Sequence, residues 1–92
     1  MRLKDKVALI TGAGMGQGRT ASVLFAKEGA KIIGLDIDEK SLVETEKLVK
    51  DQGGEMLAVV CDIAKEGEVK NAIEKGVKAF GKLNVLDRKS VV

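Results

Sequence analysis

A chain of 92 residues, 45% hydrophobic and 33% charged, has room for one small globular domain. Sixteen Lys and Arg against fourteen Asp and Glu leave a net charge of +2. The two signs are interleaved, and two Phe with no Trp or Tyr offer little to stack on bases, which argues against a nucleic-acid partner. The apolar runs are too short to cross a bilayer and the first residues lack a secretory pattern, so no membrane partner is expected. A single cysteine forbids an internal disulfide and suits a reducing compartment, so the expected address is the cytoplasm. With no histidine, the usual zinc sites are excluded as well.

In chain order, Val7 to Thr11 is a short β-branched run predicted as a buried parallel strand. A glycine-dense turn leads to a predicted helix from about Gln17 to Lys27, stopped by Gly29. Lys31 to Asp36 reads as a second strand. Asp38 can cap a helix from Glu39 to Asp51 that ends at Gly53-Gly54. Glu55 to Cys61 reads as a third strand. Val69, Ala72, Ile73, Gly76, Val77 and Phe80 then form one apolar stripe of a helix closed by Gly81. Leu83 to Leu86 begins a fourth apolar run. Strands alternating with helices in this way predict an α/β fold of βαβ units around a parallel sheet.

The chemistry sits in Thr11-Gly-Ala-Gly-Met-Gly-Gln-Gly18, between the first strand and the first helix. Glycines there allow a tight turn and close backbone approach to a pyrophosphate, and the helix start offers free N–H groups and a positive dipole end. A flexible loop is the bland alternative, weakened by the strand before, the helix after and the acid at Asp36. A G-x-G-x-x-G pattern fails, because positions 17 and 19 are Gln17 and Arg19, and the triphosphate loop's Gly-Lys-Ser/Thr is absent. The pattern present is T-G-x-x-x-G-x-G. A carboxylate at Asp36 can accept hydrogen bonds from both adenosine ribose hydroxyls and would repel a 2′-phosphate; no basic residue at Met15 or just after Asp36 would welcome one.

With V-A-L-I-T-G-A-G-M-G-Q-G-R-T-A and F-A-K-E-G-A-K around it, the chain resembles the short-chain dehydrogenase/reductase family from Leu3 to Leu86, about the first third of a usual member. The resemblance implies a Rossmann-like doubly wound sheet, incomplete here, with about four strands ordered 3-2-1-4 and three helices. It places Gly12, Gly16 and Gly18 along a cofactor diphosphate, with Thr11, Gly14, Met15 and Gln17 completing the loop; Gln17 stands where members often carry Ile. Asp36 and Ile37 would meet the ribose. Cys61-Asp62-Ile63 is similar to the family's C-D-V element, in which Asp62 would accept from the adenine amino group while nearby backbone reads the ring edge. Asp62 could equally cap the following helix, and Cys61 is expected to be a buried small hydrophobe. Arg19 is read either as a neighbour of the phosphates or as a solvated helix residue. The cofactor expected is NAD in preference to NADP.

The resemblance breaks after Leu86, where the family continues with N-N-A-G and this chain reads Asp87-Arg-Lys-Ser-Val-Val92. The family's catalytic Ser and Tyr-x-x-x-Lys lie further downstream, and this chain has no Tyr, so no catalytic residue is assigned here. Residues 1–86 are expected to be the N-terminal part of an NAD(P)-binding domain. Residues 87–92 are expected to be a non-native tail, since one back-translation looks like a synthetic sequencing adapter read in frame. The parent would then be an NAD-dependent oxidoreductase moving hydride between the nicotinamide and a small-molecule secondary alcohol or ketone, and, like its relatives, a homo-oligomer. The alternatives are a non-catalytic NAD-binding module and, ranked last, a methyltransferase using S-adenosylmethionine, whose glycine pattern is usually looser.

Overall fold

Strands and helices alternate without exception among the described residues, 3–83 and 85–87, of the computed structural model. In chain order they are β1 (Val7–Thr11), α1 (Gly16–Lys27), β2 (Lys31–Asp36), α2 (Glu39–Asp51), β3 (Glu55–Val60), α3 (Glu66–Phe80) and β4 (Val85–Asp87). All pairings are parallel and the sheet order is β3-β2-β1-β4. The register sets Val7 beside Lys31, Lys31 beside Glu55 and Ala8 beside Val85. Every residue of β1 is buried, because strands flank it and helices cover both faces. On β3 only Met56 is buried, as befits an edge strand. That strand stops at Val60, one residue short of the predicted end, and the Cys61 N–H donates to the Asp36 carbonyl at 3.0 Å.

The pleat of β1 and β2 sorts their side chains into two layers. Ala8, Ile10 and Ile32 meet Ala26, Leu42 and Val49 of α1 and α2 on one face. Val7, Leu9, Ile33 and Leu35 meet Ala72 of α3 on the other. Each fully buried Leu or Ile contributes roughly 1.5–3 kcal/mol of transfer free energy, so these layers position the sheet rim.

The helix ends follow local chemistry. α1 ends at Lys27 with Glu28 as its C-cap, after which Gly29 takes a left-handed φ of 100° and the Gly29 and Ala30 amides donate to the Ala26 and Phe25 carbonyls. Asp38 caps α2 by accepting from the Ser41 amide and hydroxyl, and the Ser41 hydroxyl hydrogen bond is the main reason its carboxyl sits below the ordinary value. Gly81 closes α3 at φ 85°.

Within α3, Val69, Ala72 and Gly76 are buried, but Val77 is 37% exposed, which removes it from the predicted stripe. The helix lies so close to β2 that a Cβ at Gly76 would come within 2.7 Å of Ile33 Cγ1. Alanine is favoured over glycine in a helix by about 1 kcal/mol, while overpacking costs about 1–3 kcal/mol. Gly76→Ala should therefore lower the urea midpoint of unfolding; a raised midpoint would show that α3 has room to move.

Among the described residues no helix is long and apolar enough to cross a membrane. Of the expected tail, residues 88–92 lie outside the described residues, and the backbone of Asp87 continues β4.

Candidate functional site

Parallel strands deliver their C-terminal ends to one rim, and the loops after β1, β2 and β3 meet there. The turn after Thr11 uses left-handed backbone at Gly12 (φ 64°) and Gly16 (φ 56°), conformations that a side chain disfavours. At Gly18 the constraint is space. A Cβ there would overlap the Gly12 carbonyl oxygen and approach its carbon to 2.5 Å, both rigid backbone.

This turn leaves the start of α1 bare. Met15, the N-cap, supplies no side-chain hydrogen bond, and the first turn contains no acid. The first internal amide to bond back is that of Arg19, to the Met15 carbonyl at 3.3 Å, so the Gly16, Gln17 and Gly18 amides have no acceptor among the described residues. The space where a Gly16 side chain would stand is open. By contrast, α2 begins with Asp38 and Glu39, and α3 carries Glu66 and Glu68 in its first turn. An anion supplied from outside would complete α1.

Asp36 faces this loop from the end of β2. Its Oδ2 accepts from the Gly14 amide at 2.8 Å and its Oδ1 from the Asp38 amide at 3.0 Å. A carboxylate has about four acceptor positions, so two remain for a ligand. Beside it lies a small cleft of about 150 Å3, lined by Gly12, Asp36, Ile37, Cys61, Asp62 and Ile63. Ile37 and Ile63 stay 68% and 47% exposed, giving the cleft an apolar lip. Asp62 Oδ1 accepts from the Ala64 amide at 2.9 Å, and the Asp62 amide donates to Glu68 Oε1 at 2.8 Å. Asp62 thus caps a turn, and the N-cap of α3 is Lys65, contrary to the helix-capping reading.

Cys61 is buried, and that burial, with the negative charges of Glu68, Asp62 and Asp36, pushes its thiol above the ordinary value. The thiolate is the reactive form, so Cys61 should react with iodoacetamide at pH 8 at least about tenfold more slowly than a free cysteine. Native and urea-unfolded samples compared by mass spectrometry check this, and equal rates would contradict it.

The structure therefore gathers Gly12, Asp36, Ile37, Cys61, Asp62 and Ile63 in one cleft and ties Gly14 to it through Asp36. Thr11, Met15, Gly16, Gln17 and Gly18 form the adjoining strand end, loop and helix start. Arg19 departs from the solvated-helix expectation. Its guanidinium donates to Thr45 Oγ1 at 2.9 Å, the Ser41 carbonyl at 3.0 Å and Glu44 Oε1 at 3.1 Å, bracing α1 against α2. Sequence reasoning missed Thr45 and Glu68, polar helix residues whose partners are remote in sequence; no local pattern marks them.

Comparison with known proteins fits this geometry. A family model described as short chain dehydrogenase matches residues 6–88. An "uncharacterized oxidoreductase" of Thermotoga maritima is 44% identical over 86 residues, covering 94% of this chain and 34% of the relative. The fold is similar to that of carveol dehydrogenase from Mycobacterium avium in complex with NAD, with a TM-score of 0.89 and 35% identity over 92% of this chain and 35% of that one. It is similar also to NAD+-bound xylitol dehydrogenase, with a TM-score of 0.90 and 34% identity over 94% of this chain and 33% of that one. The chain spans about a third of the length of the relatives it matches.

Proposed function

Because this chain belongs to the short-chain dehydrogenase/reductase family, we propose that its rim binds NAD(H) and that residues 1–86 are the N-terminal, cofactor-binding part of an oxidoreductase domain. The observation that carries the reading is the bare start of α1 set beside Asp36: three amides without a partner among the described residues, available to a diphosphate, next to a carboxylate with two acceptor positions for a ribose diol. Gly12, Gly16 and Gly18 line the phosphate side, with Thr11, Met15 and Gln17 around them. Asp36 and Ile37 hold the ribose end. Asp62 accepts from the adenine amino group, the amide of Ile63 serves the ring edge, and Cys61 packs behind them. Asp36 repels a 2′-phosphate, which selects NAD over NADP.

When bound, the nicotinamide accepts or gives a hydride, here exchanged with a secondary alcohol or ketone. What this chain supplies is binding and orientation. It has no Tyr, so it holds no phenol to move the proton on the substrate oxygen. The cytoplasm, a reducing compartment, suits its one thiol. In the parent the substrate site and subunit contacts fall to the two thirds of the relatives' length that this chain does not span, and residues 87–92, of which the family match takes in only the first two, are proposed as non-native sequence.

Titration with NADH and NADPH, read by nicotinamide fluorescence, tests the site. NADH should bind at least about tenfold more tightly, the discrimination expected when a phosphate meets a carboxylate. Absence of NADH binding, or preferential binding of S-adenosylmethionine, overturns the reading. The same chain with NAD and a panel of secondary alcohols should produce no NADH absorbance, and steady turnover would refute the division of labour. Sequencing the source DNA past the Leu86 codon tests the tail: a frame continuing into N-N-A-G supports the proposal, and a genuine stop after Val92 refutes it.

A further inference from the structure

We propose that the Thr45 hydroxyl is a positioning group that sets dinucleotide preference by fixing Gly14; the inference rests on the reading of the rim as an NAD(H) site. Thr45 lies within α2, is fully buried, and is neither a cap nor part of the glycine motif. Its Oγ1 stands 3.1 Å from the Gly14 carbonyl and 3.3 Å from the Ser41 carbonyl, and it accepts from Arg19 Nε at 2.9 Å. A hydroxyl has one proton to give. The Gly14 carbonyl is the nearer acceptor, and the Ser41 carbonyl has a competing donor in the Arg19 guanidinium at 3.0 Å, so the proton is assigned to Gly14.

Gly14 is thereby held from both sides. Its amide donates to Asp36 Oδ2 at 2.8 Å, and its carbonyl accepts from Thr45. There is no slack around it, since a Cβ at Gly14 would lie 2.7 Å from Asp36 Oδ2 and 2.9 Å from Ser41 Cβ. The Gly14 carbonyl belongs to the peptide that leads into Met15, the N-cap of α1. One buried hydroxyl therefore fixes both the orientation of the carboxylate that faces the ribose and the place where the free amides of α1 begin. A group that only stabilised the fold would change the unfolding midpoint and leave NADH and NADPH weakened alike.

The test compares the 92-residue chain with Thr45→Val, which keeps the shape and deletes the hydroxyl, and with Thr45→Ser, which restores it. Thr45→Val should weaken NADH binding about tenfold, as expected for one lost hydrogen bond, shrink the preference for NADH over NADPH, and speed hydrogen exchange at the Gly14 amide. Thr45→Ser should return all three towards wild type. An unchanged preference in Thr45→Val, or a Thr45→Ser that behaves like Thr45→Val, overturns the inference. If Thr45→Val does not fold, Arg19→Met carries the test: with the guanidinium gone from the Ser41 carbonyl, the hydroxyl turns to Ser41 and the preference shrinks, whereas full retention overturns the inference. A wild-type chain that binds neither dinucleotide overturns the proposed function instead, and Gly14 exchange in Thr45→Val then decides whether Thr45 holds the loop.

Discussion

Replacing Gly18 with alanine should reduce NADH affinity by at least about 100-fold, the effect of losing two charge-assisted hydrogen bonds of about 1.5 kcal/mol each. The new methyl would overlap the Gly12 carbonyl group. Neither partner is a side chain that can swing away, so relief requires α1 to move off the end of β1. That movement carries the Gly16, Gln17 and Gly18 amides away from the proposed diphosphate site, and overpacking costs about 1–3 kcal/mol of stability in addition. Gly67→Ala is the control. Gly67 is also helical, its left-handed freedom is unused, and nothing lies within 4 Å of its missing side chain. It should bind NADH normally and unfold at equal or higher urea. Equal NADH affinity for Gly18→Ala and Gly67→Ala would sink the claim that backbone proximity at Gly18 makes the phosphate cradle.

Asp36→Ala should act on both binding and folding. It removes the proposed ribose acceptors and strips the Gly14 and Asp38 amides of their partners at 2.8 and 3.0 Å. The Gly14 bond is partly buried, so its loss costs about 1 kcal/mol or more of stability, while the exposed Asp38 amide can turn to water. NADH affinity should fall about 10- to 100-fold, as for removal of a charged group that accepts from a diol. NADPH affinity should fall less or rise, because the repulsion of a 2′-phosphate goes with the carboxylate. Asp36→Asn should lie between, since its amide presents an acceptor to only one of the two N–H groups. Paired NADH and NADPH titrations with urea unfolding separate the effects. An Asp36→Ala chain that still prefers NADH as strongly as wild type would remove Asp36 from the selectivity argument.

Much of this architecture was legible because it is encoded locally. The β-branched run at Val7–Thr11 marked a strand buried on both faces, Asp38 announced the start of α2, and Gly29 and Gly81 announced left-handed stops. The spacing of Gly12, Gly16 and Gly18 was legible because the turn geometry imposes it. What the pattern could not show was pairing across the fold. Arg19 and Thr45 are 26 residues apart, and Thr45 and Gly14 are 31 apart. Each reads locally as an ordinary polar helix residue. Val77 was misplaced for a related reason: α3 rests on one sheet face, so only a narrow stripe is covered, and apolar spacing alone does not give its width. Asp62 fell to a turn because Lys65 occupies the helix boundary, a shift of a few residues that composition does not register.

The central place of β1 also imposes a time order. Its partner on one side, β2, is reached after a single helix, whereas the partner on the other side, β4, begins at Val85 and pairs back to Ala8. Closing the longer loop costs more chain entropy and waits on three helices, so the β1–β2–β3 side can assemble while β1 still presents a bare edge. During synthesis that edge stays open until almost the whole of this sequence has left the ribosome, which makes β1, a strand buried along its whole length in the folded sheet, the one longest at risk of pairing with another chain. Pulse-labelled hydrogen exchange would resolve the two sides of β1 in time.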